Sequence, residues 1–299
     1  MLINSKTTVD SYIIFDLEFE PDHLGEENKT KTEKVGIGDE VIFKYTDENF
    51  NLKHNRGIVK DINFLPNKKT EKQSTVIMID CSSVYGENMI TLTADHISDI
   101  KVIPTKYHNL VDINTLYVNP EVADLETYEF VEGFDRAFVV GKTAFATISE
   151  AVAAWEFIGP TIFIDKGEYS ENIMIKDANV KLIGSVLGDV IIYGNIIFRN
   201  GEGCRIENIK LYPSIELTEG TKGLLNITYN KVNIFEITNC DIIATPIGDE
   251  EDYRHCVYSD VLIRNLIIKD SNIINKTNKN ALELFVADEL FNEEGNIYK

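Results

Sequence analysis

The chain has 299 residues, which suits about two domains, and its 29 basic and 49 acidic side chains give a formal net charge of −20 at pH 7. Such a surface repels nucleic acid on average. The composition, 43% hydrophobic and 26% charged, excludes a disordered polymer or a collagen-like rod. No apolar run has the roughly 18 residues of a membrane span, and the start lacks a signal-peptide pattern. We therefore expect neither a membrane nor a nucleic-acid partner.

Short β-rich segments separated by turn residues fill the first hundred residues. Turn chemistry such as Gly38-Asp39 and Gly86-Glu87-Asn88 separates them, which is typical of antiparallel strands. The pattern predicts a small antiparallel β-barrel or β-sandwich over residues 1–103, followed by a connector over residues 104–140. Five of the predicted strands are Glu40–Tyr45, Gly57–Phe64, Thr75–Cys81, Met89–Thr93 and Ile97–Ile103.

A short amphipathic helix is predicted over residues 147–155. Either Thr147 or Ser149 supplies a side chain suited to its N-cap. We expect the helix to cap the first turn of the domain that follows. Four apolar residues spaced three or four apart share one helical face: Phe145, Ile148, Val152 and Trp155.

After this helix, a six-residue pattern recurs four times at a constant spacing of 31 residues. Each copy has Ile first, Asp or Asn third, and an aliphatic residue sixth. The first positions are Ile175, Ile206, Ile237 and Ile268. The third positions are Asp177, Asn208, Asn239 and Asp270. The sixth positions are Val180, Leu211, Ile242 and Ile273.

The repeat predicts a parallel β-helix over residues 141–299. Asp and Asn tolerate the left-handed backbone region, so they mark sharp corners after a strand. If successive turns stack at the strand spacing of about 4.8 Å, the Asp and Asn side chains form a ladder along one corner. The aliphatic side chains then form columns in the core, and each turn is stabilised by its neighbours.

The segment that opens this region resembles the start of the pectin lyase-like superfamily of right-handed parallel β-helices. The resemblance rests on a Phe-x-Thr-Ile-x-x-Ala-Val helix at Phe145–Val152 and on the turn Gly167-Glu168-Tyr169-Ser170-Glu171. It covers residues 141–184, and the rest of the region only by architecture. The resemblance implies a mostly β protein whose right-handed β-helix has an N-terminal capping helix. The superfamily includes polysaccharide lyases, esterases and hydrolases as well as bacteriophage tailspike and fibre proteins, so the fold does not decide the function.

No catalytic, cofactor-binding or metal-binding set is predicted. The Gln-Asp-Thr and Asp-Phe-Ile-Phe-Gly segments of pectin methylesterases are absent, which disfavours that esterase chemistry. The histidines lack His-x-x-x-His spacing and the four cysteines lack a Cys-x-x-Cys pair, so we expect buried free thiols. The densest acidic group is interpreted as a solvated loop, with an acidic cleft or cation site as the alternative. It consists of Asp249, Glu250, Glu251 and Asp252.

Three functions remain open. The favoured one is a non-enzymatic structural component of a bacteriophage virion, such as a tail, baseplate, head-fibre or spike protein, assembled in the host cytoplasm. The alternatives are a polysaccharide-active enzyme and an adhesin module that binds a host surface polysaccharide. Stiff stacked turns suit an exposed assembly part, and other virion proteins are the expected partners. The open edge near Ala281–Val286 predicts self-association as well, and trimers are typical of the spike proteins that the chain resembles.

Overall fold

The computed structural model divides into two compact units, Met1–Asn109 and Leu110–Lys299. The structure describes the backbone of residues 2–9, 12–18, 30–47, 50–66, 73–81, 89–107, 111–156, 158–186, 188–214, 221–246, 254–292 and 295–298. Within these ranges, side chains are described from residue 33 onward, except those of residues 64–66, 73–74, 286–292 and 298.

The described part of the first unit contains eight strands and two short 3-10 helices. The strands are β1 (Leu2–Val9), β2 (Tyr12–Glu18), β3 (Thr30–Gly36), β4 (Glu40–Thr46), β5 (Leu52–Pro66), β6 (Gln73–Asp80), β7 (Met89–Thr93) and β8 (Ile97–Ile103). The 3-10 helices are Ala94–His96 and Thr105–Tyr107. One antiparallel sheet has the order β1-β2-β3 and the other the order β7-β6-β5-β4-β8.

Alternating burial builds the core of the larger sheet in this unit. Ile77 and Ile79 are fully buried, whereas Val76 and Met78, which alternate with them, are only half-buried. This period of two is typical of an antiparallel sheet with one face against a core. The five strands predicted between residues 40 and 103 are confirmed, although β5 begins earlier, at Leu52, than predicted.

The described part of the second unit contains one α-helix, one 3-10 helix and nineteen strands. The helices are α1 (Ile148–Ala154) and the 3-10 helix Pro120–Asp124. The strands are β9 (Thr115–Val118), β10 (Phe130–Gly133), β11 (Arg136–Val139), β12 (Ala144–Phe145), β13 (Thr161–Ile164), β14 (Gly167–Ser170), β15 (Ile173–Ile175), β16 (Lys181–Gly184), β17 (Val190–Tyr193), β18 (Ile196–Phe198), β19 (Cys204–Glu207), β20 (Lys210–Tyr212), β21 (Gly223–Ile227), β22 (Val232–Thr238), β23 (Asp241–Ala244), β24 (His255–Lys269), β25 (Asn272–Asn275), β26 (Leu282–Asn292) and β27 (Ile297–Tyr298).

Parallel pairing organises the second unit, apart from the antiparallel hairpin β10–β11. One sheet has the order β12-β9-β13-β16-β19-β22-β24-β21-β18-β15, with β26 also paired to β24, and the other the order β14-β17-β20-β23-β25-β27. The first half of β24 pairs with β21 and its second half with β22. The larger sheet therefore curls into a half-barrel, and the protein as a whole is mostly β.

The segment predicted as a connector contributes to this second unit. Its strand β9 pairs in parallel with both β12 and β13. Tyr117 of β9 is nearly buried, and its ring stacks on Phe138 of β11 with centroids 5.0 Å apart. Residues 115–139 thus extend the parallel sheet by one strand and place a hairpin against it.

The 31-residue repeat is in register over three of its four copies. Ile206 lies opposite Ile237, and Ile237 opposite Ile268; all three are at most 1% exposed. A second buried column consists of Leu211, Ile242 and Ile273.

The first copy of the repeat lies elsewhere, which corrects the predicted columns. Ile175 belongs to β15 and lies opposite Phe198, whereas the residue that precedes Ile206 in its column is Leu182. Val180 is buried but precedes β16 and joins neither column. The step from Leu182 to Ile206 is 24 residues, so a spacing of 31 cannot extend backward into this turn.

The predicted helix is confirmed, with the bounds Ile148–Ala154. Its buried face differs slightly from the prediction, because Ile148, Ala151 and Trp155 are buried while Val152 is half-exposed. No helix in the described ranges has the length and hydropathy needed to cross a membrane.

Candidate functional site

A corner of stacked Asp and Asn residues joins the two parallel sheets. Asn208, Asn239 and Asp270 directly follow residues that are paired in register at the ends of β19, β22 and β24. Their φ angles are 58°, 50° and 48°, in the left-handed region that Asn and Asp adopt most readily after glycine. The chain therefore turns from one sheet to the other at the same place in three successive turns.

Side-chain amides link these corners to one another. Asn239 Nδ2 donates to Asn208 Oδ1 over 2.6 Å, and Asn208 Nδ2 donates to the carbonyl oxygen of Gly184 over 3.1 Å. Asp177, predicted as the first member of the ladder, lies outside it. In the preceding turn, Gly184 occupies the position of Asn208, because Ile183 pairs with Glu207. Asn179 also has a left-handed conformation, with φ 62°, but at a different corner, between β15 and β16.

Buried polar groups continue the connection beyond the corner. Ser271 is fully buried; its Oγ accepts from the backbone nitrogen of Cys240 and donates to the carbonyl oxygen of Lys269, at 3.1 and 2.7 Å. On the next residue along, Asn272 Nδ2 donates to Asp241 Oδ1 over 2.7 Å. These contacts were not predicted, because a lone Ser after an Asp has no distinctive pattern in the sequence.

All four cysteines are buried and free, as expected. Burial raises the pKa of the Cys204 and Cys240 thiols to about 12, and those of Cys81 and Cys256 to about 11. Since the thiolate is the reactive and metal-binding form, these groups are inert at neutral pH. Their role is packing.

Long connections cluster on one side of the last three turns. The link from the smaller sheet back to the larger one is two residues long after β14 and after β17. It lengthens to ten residues after β20, ten after β23 and six after β25. In repeat folds, insertions on one side commonly form the binding face. The acidic group Asp249, Glu250, Glu251 and Asp252 belongs to the second of these links and lies outside the described residues.

A polar cluster lies where these connections rejoin the sheet. Lys222 Nζ donates to the Tyr258 hydroxyl over 3.2 Å and lies 5.1 Å from the centre of the Tyr258 ring. The His255 ring stacks on the same tyrosine with centroids 6.1 Å apart, and its Nδ1 is 2.8 Å from the carbonyl oxygen of Asn280. The hydrogen bond to Tyr258 is the main cause of a raised pKa at Lys222, so this amine is protonated at neutral pH.

A solvent-open surface cavity of about 270 Å³ adjoins this cluster, between β24 and β26. The pairing of the two strands shifts register between Tyr258 and Leu262, so three residues of β24 lie opposite one residue of β26 in a bulge. The Ser259 hydroxyl holds the bulge by donating to the carbonyl oxygen of Val261 over 2.9 Å. The lining residues are Tyr258, Ser259, Asp260, Glu283, Leu284 and Phe285.

Among the residues whose side chains are described, no group of three or more His, Cys, Asp or Glu side chains could hold a metal ion. Comparison of the chain with protein-family models, curated proteins and solved structures finds no match.

Proposed function

We propose that this chain is a non-enzymatic structural component of a bacteriophage virion, built on a short right-handed parallel β-helix. The observation that carries the proposal is the register of Ile206, Ile237 and Ile268, one above another in successive turns. Fully burying an Ile side chain contributes roughly 1.5–3 kcal/mol. A stack of such turns is stiff, because each turn is held on both sides by its neighbours.

The corner ladder supports the same role. Three successive corners have equivalent backbone conformations, and Asn239 ties its turn to that of Asn208 by a side-chain hydrogen bond. This contact fixes the register of the two turns. Sliding one turn over the next would break it together with the hydrogen bonds of every strand in the turn. A stack of turns that keeps its shape under load suits a tail, baseplate, head-fibre or spike protein.

Contacts between α1 and the first turn support the interpretation of α1 as the cap of the β-helix. The Glu171 carboxylate accepts hydrogen bonds from the backbone nitrogens of Ile148 and Ser149, at 3.0 and 2.9 Å, and from the Ser149 hydroxyl at 2.6 Å. Tyr169 is buried, and its hydroxyl donates to the carbonyl oxygen of Asp165 over 2.8 Å. The helix and the Gly-x-Tyr-x-Glu turn, the two parts of the resemblance to the pectin lyase-like superfamily, thus contact one another.

Particle analysis tests the virion role. Phage particles induced from the source cells are purified on a density gradient, and the chain is quantified by mass spectrometry and located by immunogold electron microscopy. We expect a fixed copy number per particle and gold label at one position. A chain found in the lysate but absent from intact particles would overturn the proposal. Self-association stays a prediction, which light scattering on the purified chain would check.

Saccharide binding without turnover is the second candidate, and one pair of tyrosines favours it. Tyr193 and Tyr212 lie in register on β17 and β20, half-exposed, with ring centroids 5.9 Å apart. Two stacked, half-exposed aromatic rings offer an apolar surface on which the C–H face of a sugar ring can pack. A glycan array separates the candidates: binding that is lost in Tyr193→Ala supports the adhesin. Release of reducing ends from any bound polysaccharide would indicate the enzyme instead.

A further inference from the structure

Strand β26 ends the larger parallel sheet with an open edge. It is 11 residues long and pairs along one side with β24, while no other strand of the described chain pairs with it. Among the described residues, no strand accepts or donates hydrogen bonds on its other side, and a further extended segment can pair with such an edge. Addition of a strand to such an edge is a common way of binding a peptide.

The cavity between β24 and the start of β26, one strand inward from the open edge, has the chemistry of a site for a positively charged side chain. Two of its lining residues, Tyr258 and Phe285, are aromatic, and two others, Asp260 and Glu283, are carboxylates. Phe285 is 62% exposed, so its ring face is accessible. Aromatic faces attract cations and carboxylates pair with them, and the planar guanidinium of Arg makes both contacts at once.

The chain's own Lys222 demonstrates this preference. Its ammonium lies over the Tyr258 ring at the rim of the cavity, within the field of Asp260 and Glu283, both of which help to raise its pKa. A cation is thus already stabilised beside the cavity, while the cavity has room for a second. The net charge of −20 attracts basic partners over a longer range.

We propose that the open edge of β26 binds an extended, basic segment of another protein of the assembly, with one Arg or Lys side chain in the cavity lined by Asp260 and Glu283. The inference rests on the proposed function for its context. A second copy of this chain, which the sequence predicted to associate through the same edge, is the competing occupant, but it brings a like-charged surface to the edge. The basic segment instead supplies both the backbone hydrogen bonds and the missing positive charge.

A synthetic strand tests the proposal on the full chain. The probe is a fluorescein-labelled peptide, Thr-Val-Thr-Arg-Thr-Val-Thr, and its control replaces Arg by neutral citrulline. We expect saturable binding of the Arg peptide by fluorescence anisotropy. The affinity should fall at least about tenfold for citrulline and for the double variant Asp260→Asn/Glu283→Gln. The matched control Glu126→Gln/Glu129→Gln removes the same charge from exposed residues elsewhere and should leave the affinity unchanged.

Hydrogen exchange locates the bound peptide. We expect slower amide exchange in β26 when the Arg peptide is present, because its open N–H groups gain partners. Equal binding of all peptides and variants, no binding at all, or binding without protection of β26 would each overturn the inference. So would a dimer that dissociates in Phe285→Ala, since it would assign the edge to a second copy. None of these outcomes depends on finding the chain in a particle, so failure here is distinguishable from failure of the virion role.

Discussion

Asn239 combines two roles in one residue. Its backbone has φ 50°, and its side chain bonds to Asn208 in the turn below. We predict that Asn239→Leu lowers the free energy of unfolding by about 1–3 kcal/mol, since it loses a hydrogen bond and places a bulky residue in the left-handed region. Urea denaturation measures the loss. Asn239→Gly is the matched control, because it keeps the conformation and should lose less; equal stability of Leu and wild type would contradict the ladder.

The buried thiols lead to a second prediction at the scale of single residues. Their pKa values are raised by burial from an ordinary 9.0 to about 11 or 12. A thiol whose pKa is higher in the folded state stabilises the fold fully below pH 9, and this stability is lost as the pH rises from 9 toward 12. We expect no reaction of the native chain with Ellman's reagent at pH 8 and four reactive thiols in denaturant. Fast reaction of the native chain would contradict the burial of the cysteines.

The ladder was partly predictable at the level of residues. Asn208, Asn239 and Asp270 could be found because Asx residues that follow a strand favour corners. Asp177 was chosen because it fits the 31-residue spacing, yet the residue at the equivalent corner of the preceding turn is Gly184, which follows Ile183, the partner of Glu207. Spacing alone could not show this, since the length of each turn is set by its loops.

At the level of elements, one carboxylate links α1 to the turn after β14. Glu171 accepts three hydrogen bonds from the start of α1, which also has its own capping box between Thr147 and Glu150. We predict that Glu171→Ala destabilises the protein by about 1–3 kcal/mol, and that amide exchange in α1 becomes faster. Glu168→Ala, on the exposed face of β14, is the control. Equal protection of α1 in both variants would contradict the linkage.

The predicted elements succeeded where one side of a strand is buried. Burial alternates along β6 but not along β4 or β8, whose buried residues are adjacent in sequence. The turn residues between the segments therefore helped to locate all five strands. β9 was missed, because its four buried residues are too few to show a period. The long strand β24 was also missed as a unit: its two halves pair with different strands, β21 and β22, and only tertiary structure joins them.

At the scale of the whole molecule, the sequence predicted that the turns stack in parallel, but not which residues of the first turns lie opposite one another. The periodic Ile and Asx residues identify three equal turns, and these pair as expected. The cavity beside β26 could not be predicted, because it arises from a shift in strand pairing between Tyr258 and Leu262. Its charged and aromatic residues come from separate strands with no common motif.

The distance between spin labels at Glu168 and Ile297 tests the stacking most directly. Both residues are exposed, and they are connected through five successive pairings: Glu168 with Ile191, then Lys210, Asp241, Asn272 and Ile297. Labels on Glu168→Cys/Ile297→Cys, with the buried native thiols unreactive, are measured by double electron–electron resonance. Five strand spacings of about 4.8 Å predict one narrow distribution near 24 Å, apart from the label arms. A broad distribution, or one centred beyond about 35 Å, would contradict the stacked turns and with them the proposed β-helix.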